Sequence, residues 1–250
     1  MSILDFIFPK KCVSCGRFGE YVCANCFTSI SFDVECICLV CNRQAVDGIT
    51  HPLCRGKYVM DGTIASIVYK SIAKKLIYAF KYKPYISDLE KTLADFFYEG
   101  LIQSEQFNKI IKTDSILVPI PLHPKKLRER GYNQAEVLAK NLGKRLNLPI
   151  LRVLKRVKFT PSQVSLKREN RKENIKGAFE LSNSFRATKL QSFKESDSFA
   201  TLKLWNSETI NQIILIDDVI TSGATMLEAA SVLKRAGMKR VWGIALAHGK

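Results

Sequence analysis

Four aliphatic residues in a row, Ile213 to Ile216, stand between polar Gln212 and the acidic pair Asp217-Asp218. A short apolar run bounded in this way predicts a strand buried on both faces of a parallel sheet. After it comes a turn of small residues, Thr221-Ser222-Gly223-Ala224-Thr225. Then Met226, Ala229, Ala230 and Leu233 recur at i, i+3, i+4 and i+7, the apolar face of a helix for which Gly237 is a C-cap. Upstream, the run 115–121 (SILVPIP) reads as a second buried strand ended by proline, and 63–69 alternates as a third. Helical periodicity marks Ile72, Leu76, Ile77 and Phe80, then Leu89, Leu93, Phe96 and Phe97. Ala135, Leu138, Ala139, Leu142 and Leu146 mark a further helix that begins near Asn133. Strands alternating with helices predict an α/β domain over 59–250, a parallel sheet flanked by helices. Residues 182–211, rich in Ser and Lys, read as a mobile insertion ahead of the last core strand.

Composition adds a charge argument. The chain has 250 residues, 46% of them hydrophobic, which is enough for a sizeable core, and a formal net charge of +16. The excess is clustered: residues 123–176 hold sixteen Lys/Arg against four Asp/Glu, a net of +12. Such clustering favours polyanionic partners, nucleic acid or phosphorylated ligands. No apolar run reaches the ~20 residues of a membrane helix, and MSILDFIFPKK lacks the basic start of a signal peptide. The expectation is a cytoplasmic protein with no membrane insertion.

In a reducing compartment, eight cysteines confined to 12–54 argue for metal, not disulfides. Cys12-x-x-Cys15 and Cys23-x-x-Cys26 supply four thiolates at the spacing of a tetrahedral structural zinc site. Cys38-x-x-Cys41 with His51 and Cys54 gives a second, Cys₃His set. Cys36 is a spare thiol that could replace His51 as fourth ligand. The segment 1–58 then reads as a small zinc-ribbon domain whose folding depends on metal.

The 213–237 stretch carries its own chemistry. Free N–H groups and the positive dipole end of a helix seat a phosphate, and two carboxylates at a strand end accept hydrogen bonds from vicinal hydroxyls. A phosphate beside a diol describes a ribose 5-phosphate. A nucleotide triphosphatase would need a G-x-x-x-x-G-K-[ST] loop, and the chain has none. The stretch resembles the phosphoribosyl diphosphate (PRPP) motif of the type I phosphoribosyltransferases. The resemblance implies that Asp217 and Asp218 hold the ribose hydroxyls and stabilise positive charge in catalysis, and that Thr221, Ser222, Gly223, Ala224 and Thr225 wrap the 5-phosphate. The diphosphate belongs after the SILVPIP strand, where Lys125, Lys126, Arg128 and Arg130 are candidates and Arg130, beside the turn expected at Gly131, is favoured.

The leader ending Phe8-Pro9-x-x-Cys12, the paired ribbons, VPIPLHPKKLRERGYNQA and ILIDDVITSGAT are together similar to the ComF family of competence-associated proteins. This likeness covers nearly the whole chain, and Arg130-Gly131-Tyr132-Asn133-Gln134 is its most specific run. It implies a type I phosphoribosyltransferase-like fold, PRPP bound with Mg²⁺, and a part in DNA uptake during natural transformation. It also implies contact with single-stranded DNA and with a helicase or another competence protein. His51 departs from the pattern, standing where that family has a cysteine. Residues 163–179 resemble the mobile basic loop that closes over PRPP in that fold, with Arg168, Arg171 and Asn174 as candidates; Lys167, Arg168, Arg171 and Lys172 are the nucleic-acid candidates. Neither a base-binding signature nor a general base is legible. Three readings therefore compete: a phosphoribosyltransferase, a PRPP-regulated binder of single-stranded DNA, and a zinc-ribbon scaffold with a vestigial nucleotide site.

Overall fold

The computed structural model describes residues 10–82, 89–112, 114–160, 173–183 and 212–249. Its centre is a four-stranded, wholly parallel sheet. In chain order the strands are β1 (Gly62–Val68), β2 (Ser115–Pro119), β5 (Gln212–Ile220) and β6 (Arg240–His248), arranged β1-β6-β5-β2. A separate antiparallel pair is formed by β3 (Leu154–Arg156) and β4 (Phe179–Leu181). The helices are the single turn α1 (Ala24–Phe27), then α2 (Ser71–Tyr82), α3 (Leu89–Ile102), α4 (Glu105–Ile110), α5 (Pro124–Arg130), α6 (Gln134–Leu146) and α7 (Ala224–Arg235).

The period-two alternation of each strand decides which layer covers it. Ile214 and Ile216 of β5, Leu117 of β2 and Ile244 and Leu246 of β6 face α2, α3 and α6. Ile213 and Leu215, with Ile116, Val118, Val241 and Ala245, face α7 and the β3–β4 pair. Both faces of β5 are therefore buried, as its aliphatic run predicts. Helix α3 lies close on β1: a Cβ at Gly100 would stand 2.5 Å from Ser66, whose hydroxyl donates to the Phe97 carbonyl at 2.7 Å.

The sequence expectation of a last core strand at 213–216 needs correction, because β6 follows it and lies between β1 and β5. Helix α5 was also not expected. PKKLRER has no apolar stripe, and its ends make it helical. The His123 ring accepts from the Lys125 N–H at 3.2 Å, Pro124 presets the first turn, and Gly131 closes it at φ 81°. The 182–211 insertion lies almost wholly outside the described residues.

The ribbons pack into the same two layers. Val22 and Ile30 join the α2–α3 core, and the Phe27 ring lies 5.7 Å from that of Phe96. Ile37 and Leu39 join the α7 side. The second ribbon is also tied to the sheet edge. The Thr50 hydroxyl donates to the Met60 carbonyl at 2.8 Å, and the Asp61 carboxylate accepts from Val241 N–H at 2.7 Å and pairs with Lys234 at 2.8 Å.

Candidate functional site

The cysteine spacing assembles two tight donor sets. Cys12, Cys15, Cys23 and Cys26 form one; Cys38, Cys41, His51 and Cys54 form the other, with all ligand atoms of a set within 4.8 Å of one another. The Cys15 and Cys23 sulfurs lie 3.6 Å apart, close to the about 3.8 Å between sulfurs of a tetrahedral zinc thiolate. Four thiolates this close repel one another unless a cation lies among them. Burial and the neighbouring thiols Cys12, Cys23 and Cys15 push Cys26 up to about 12. Burial acts the same way on Cys12, but N–H groups of Cys15, Cys23 and Ser14 outweigh it and hold that thiol at about 6. Both sets fit closed structural zinc sites, with no open coordination position.

The alternative between His51 and Cys36 resolves in favour of His51. Its Nδ1 lies 3.2 Å from the Cys41 sulfur. Its Nε2 lies 2.9 Å from the Gln44 carbonyl and donates to it, which leaves Nδ1 as the ligating nitrogen. Cys36 is outside the set, and burial followed by the Asp47 carboxylate raises its thiol.

The second site lies where β5 ends. Asp217 and Asp218 are adjacent, and the Asp218 N–H donates to the Asp217 carboxylate at 2.9 Å. Burial, then the charge of Asp218, raises Asp217 to about 7 against the pull of Lys81 and Arg156. Asp218 is buried and pairs with Lys81 at 3.0 Å. Burial alone would lower Lys81, but the two carboxylates prevail and raise it. Beyond the pair lie three further cations. Burial and the charges of Arg156, Arg130 and Lys81 bring Lys126 down to about 8. Arg156, from β3, is lowered chiefly by burial and again by Arg130, while Asp217 opposes both.

After the carboxylates the chain makes the turn into α7. Gly223 is the N-cap at φ 71°, and no side chain bonds at the cap position. The Ser222 hydroxyl lies 3.5 Å from the Ala224 N–H. A left-handed backbone favours glycine here, and so does the space: a Cβ on Gly223 would lie 2.8 Å from both Leu39 methyl carbons. Leu39 stands between Cys38 and Cys41. The second zinc knuckle therefore packs directly against the turn.

The run Arg130 to Gln134 has a physical role at every residue. Arg130 donates to the Gln134 side chain at 3.2 Å. Gly131 makes the left-handed turn. The Tyr132 hydroxyl donates to the Phe80 carbonyl, which ties this segment to α2 one residue before Lys81. Asn133 caps α6 by accepting from Ala135 N–H at 3.2 Å, and its amide donates to the Ile120 carbonyl at 3.0 Å, anchoring the helix to the end of β2.

Of the residues expected from sequence, Asp217, Asp218, Thr221 to Thr225, Lys126 and Arg130 collect at this end of the sheet. Lys125 and Arg128 are exposed on α5, and Lys125 turns instead to the Phe159 ring, 4.8 Å from its centroid. Lys167, Arg168, Arg171 and Lys172 lie outside the described residues. Asn174 lies within them, with a buried amide nitrogen that has no hydrogen-bond partner among the described residues. Sequence reasoning missed Lys81 and Arg156. Neither stands in a motif, and only the packing of α2 and β3 brings them to the carboxylates.

Two measurements check these assignments. Metal analysis should find two zinc per chain in the parent protein, and His51→Ala should fall towards one; two zinc retained in that variant would remove His51 from the ligand set. For Asp217, the folded protein keeps a proton that the unfolded chain loses near its ordinary value of 3.8, until the pH passes about 7. Stability contributed by this residue therefore falls across that window. Asp217→Asn, which retains the acceptor for the Asp218 N–H, should match the parent below about pH 4 and exceed it by up to about 4 kcal/mol above about pH 7. Denaturant midpoints that differ by the same amount at both ends would contradict it.

Comparison with known proteins agrees with the paired zinc-ligand sets. Residues 3–56 match the double zinc ribbon domain. Competence protein F of Haemophilus influenzae is 31% identical over 162 residues, 64% of this chain and 62% of that protein's length. The matched region thus spans less than two thirds of that relative. Competence protein ComFC of Bacillus subtilis is 28% identical over 230 residues, covering 87% of this chain and 80% of its own length. The DNA utilization protein YhgH of Salmonella typhi is 25% identical over 156 residues, 62% of this chain and 58% of that protein. With paired zinc-ligand sets at one end and likeness to competence proteins over much of the chain, these findings support assignment to the ComF family.

Proposed function

We propose that this chain binds PRPP at the carboxyl end of β5 and acts in DNA uptake, where it handles incoming single-stranded DNA. One observation carries the ligand reading: a carboxylate pair lies among cations at the end of the strand that leads into a helix N-terminus whose N-cap, Gly223, has no side chain. Vicinal hydroxyls suit Asp217 and Asp218, a terminal phosphate suits the turn 221–225, and a diphosphate suits Lys81, Lys126, Arg130 and Arg156. PRPP carries these three groups in that order. The uptake role rests on the relatives, two named competence proteins and one named a DNA utilization protein. The affinity for DNA rests on the +12 charge of residues 123–176.

Phosphoribosyl transfer is the second reading, favoured by Asp217. A carboxylate held near 7 can accept a proton at neutral pH. Lys81, Lys126, Arg130 and Arg156 would hold the diphosphate, where bound Mg²⁺ would supply further neutralisation of the leaving group. The two carboxylates would stabilise positive charge developing on the ribose ring.

The test uses Asp217→Asn and Asp218→Asn. A hydrogen bond to a charged group contributes ~1.5–3 kcal/mol, so each change should weaken PRPP about 10- to 150-fold. Single-stranded DNA affinity at one fixed salt concentration should hold or rise slightly, because a carboxylate has left a basic surface. PRPP binding to both variants equal to the parent's would refute the ligand reading, and DNA binding independent of salt would refute the charge argument for the second partner.

A further inference from the structure

Helix α2 buries Ile72, Ala73, Leu76, Ile77 and Phe80. On its outer side it carries two tyrosines one turn apart. Tyr78 and Tyr82 have ring centroids 4.7 Å apart at 44°, yet they are 60% and 51% exposed. The core does not need them. A pair of large rings held together and left in water is the form of a contact surface.

Its surroundings say what it contacts. The Arg130 guanidinium lies 5.3 Å from the Tyr82 centroid. Lys81, the residue before Tyr82, reaches the other way to Asp218 at 3.0 Å. Aromatic surface, guanidinium and carboxylates are thus continuous. An aliphatic peptide would gain nothing from the cations. A flat π-system joined to phosphates uses both halves, the rings by stacking and the cations by charge. We propose that Tyr78 and Tyr82 form a nucleobase-stacking subsite contiguous with the phosphoribosyl site. This subsite rests on the ligand reading given above and supplies what that reading lacks, a place for a base. Such a base can belong to a free nucleotide or to the end of a single strand, and both present the same ring face.

Affinities of the full-length protein for thymidine monophosphate and for a short oligothymidylate, at one salt concentration, test the subsite. Stacking on an aromatic side chain is worth roughly 5- to 150-fold in affinity per base. Tyr78→Leu and Tyr82→Leu should each lose a factor in that range, whereas Tyr78→Phe and Tyr82→Phe, which keep the ring, should bind as the parent does. Loss confined to the oligothymidylate assigns the subsite to a strand, and an equal loss for the monophosphate assigns it to a free base. Leucine variants that bind both ligands like the parent would overturn the proposal, as would phenylalanine variants that fail along with the leucine ones, or a parent protein that binds neither ligand. A parent protein that stacks bases but binds no PRPP would refute the phosphoribosyl reading and leave the subsite standing.

Discussion

The site depends on a charge balance at the end of β5. Two adjacent carboxylates, one of them buried, can be kept there only because Lys81 pairs with Asp218 and Arg156 lies close enough to act on Asp217. The balance is incomplete, since Asp217 still sits near 7. The cations are unsettled as well, with Lys126 brought down to about 8 by burial and by its own kind. An acid and a base both shifted from their ordinary values beside one another mark a candidate functional site. Lys81 pairs with Asp218 at 3.0 Å, so a diol that engaged Asp218 would release Lys81 towards a neighbouring anion.

The zinc ribbons enter this argument through packing. Leu39 sits between two zinc ligands and fills the space against Gly223, where even a methyl group would clash. The turn into α7 is therefore shaped from outside by a metal knuckle, which is itself fixed to the sheet edge through Thr50, Asp61 and Lys234. A closed zinc site supplies rigidity without chemistry. The ribbons thus hold the turn 221–225 in place.

Much of this was legible in the sequence where periodicity or spacing carries the signal. Ile213 to Ile216 could only be buried on both faces, Met226 to Leu233 share one helical stripe, and cysteine pairs two residues apart are drawn together by one metal. Strand β6 was harder, because its Gly243 and alternating alanines look neither amphipathic nor β-branched, and its central place comes from pairing on both sides. Helix α5 has no buried residue and so leaves no hydrophobic pattern to find. Lys81 and Arg156 were illegible for a different reason. Each is an ordinary basic residue in a basic chain, and what sets it apart is a partner 137 and 61 positions away, respectively, brought close by the tertiary fold.

In the proposed function, one ligand spans the turn 221–225, the carboxylate pair and the cation cluster. The most direct measurement is an experimental structure of the protein with PRPP and Mg²⁺. The account predicts the 5-phosphate on the N–H groups of residues 221–225, the ribose hydroxyls on Asp217 and Asp218, and Lys81 turned from Asp218 to the diphosphate. A ligand with its phosphates elsewhere, and the Lys81–Asp218 pair intact beneath an empty turn, would contradict it.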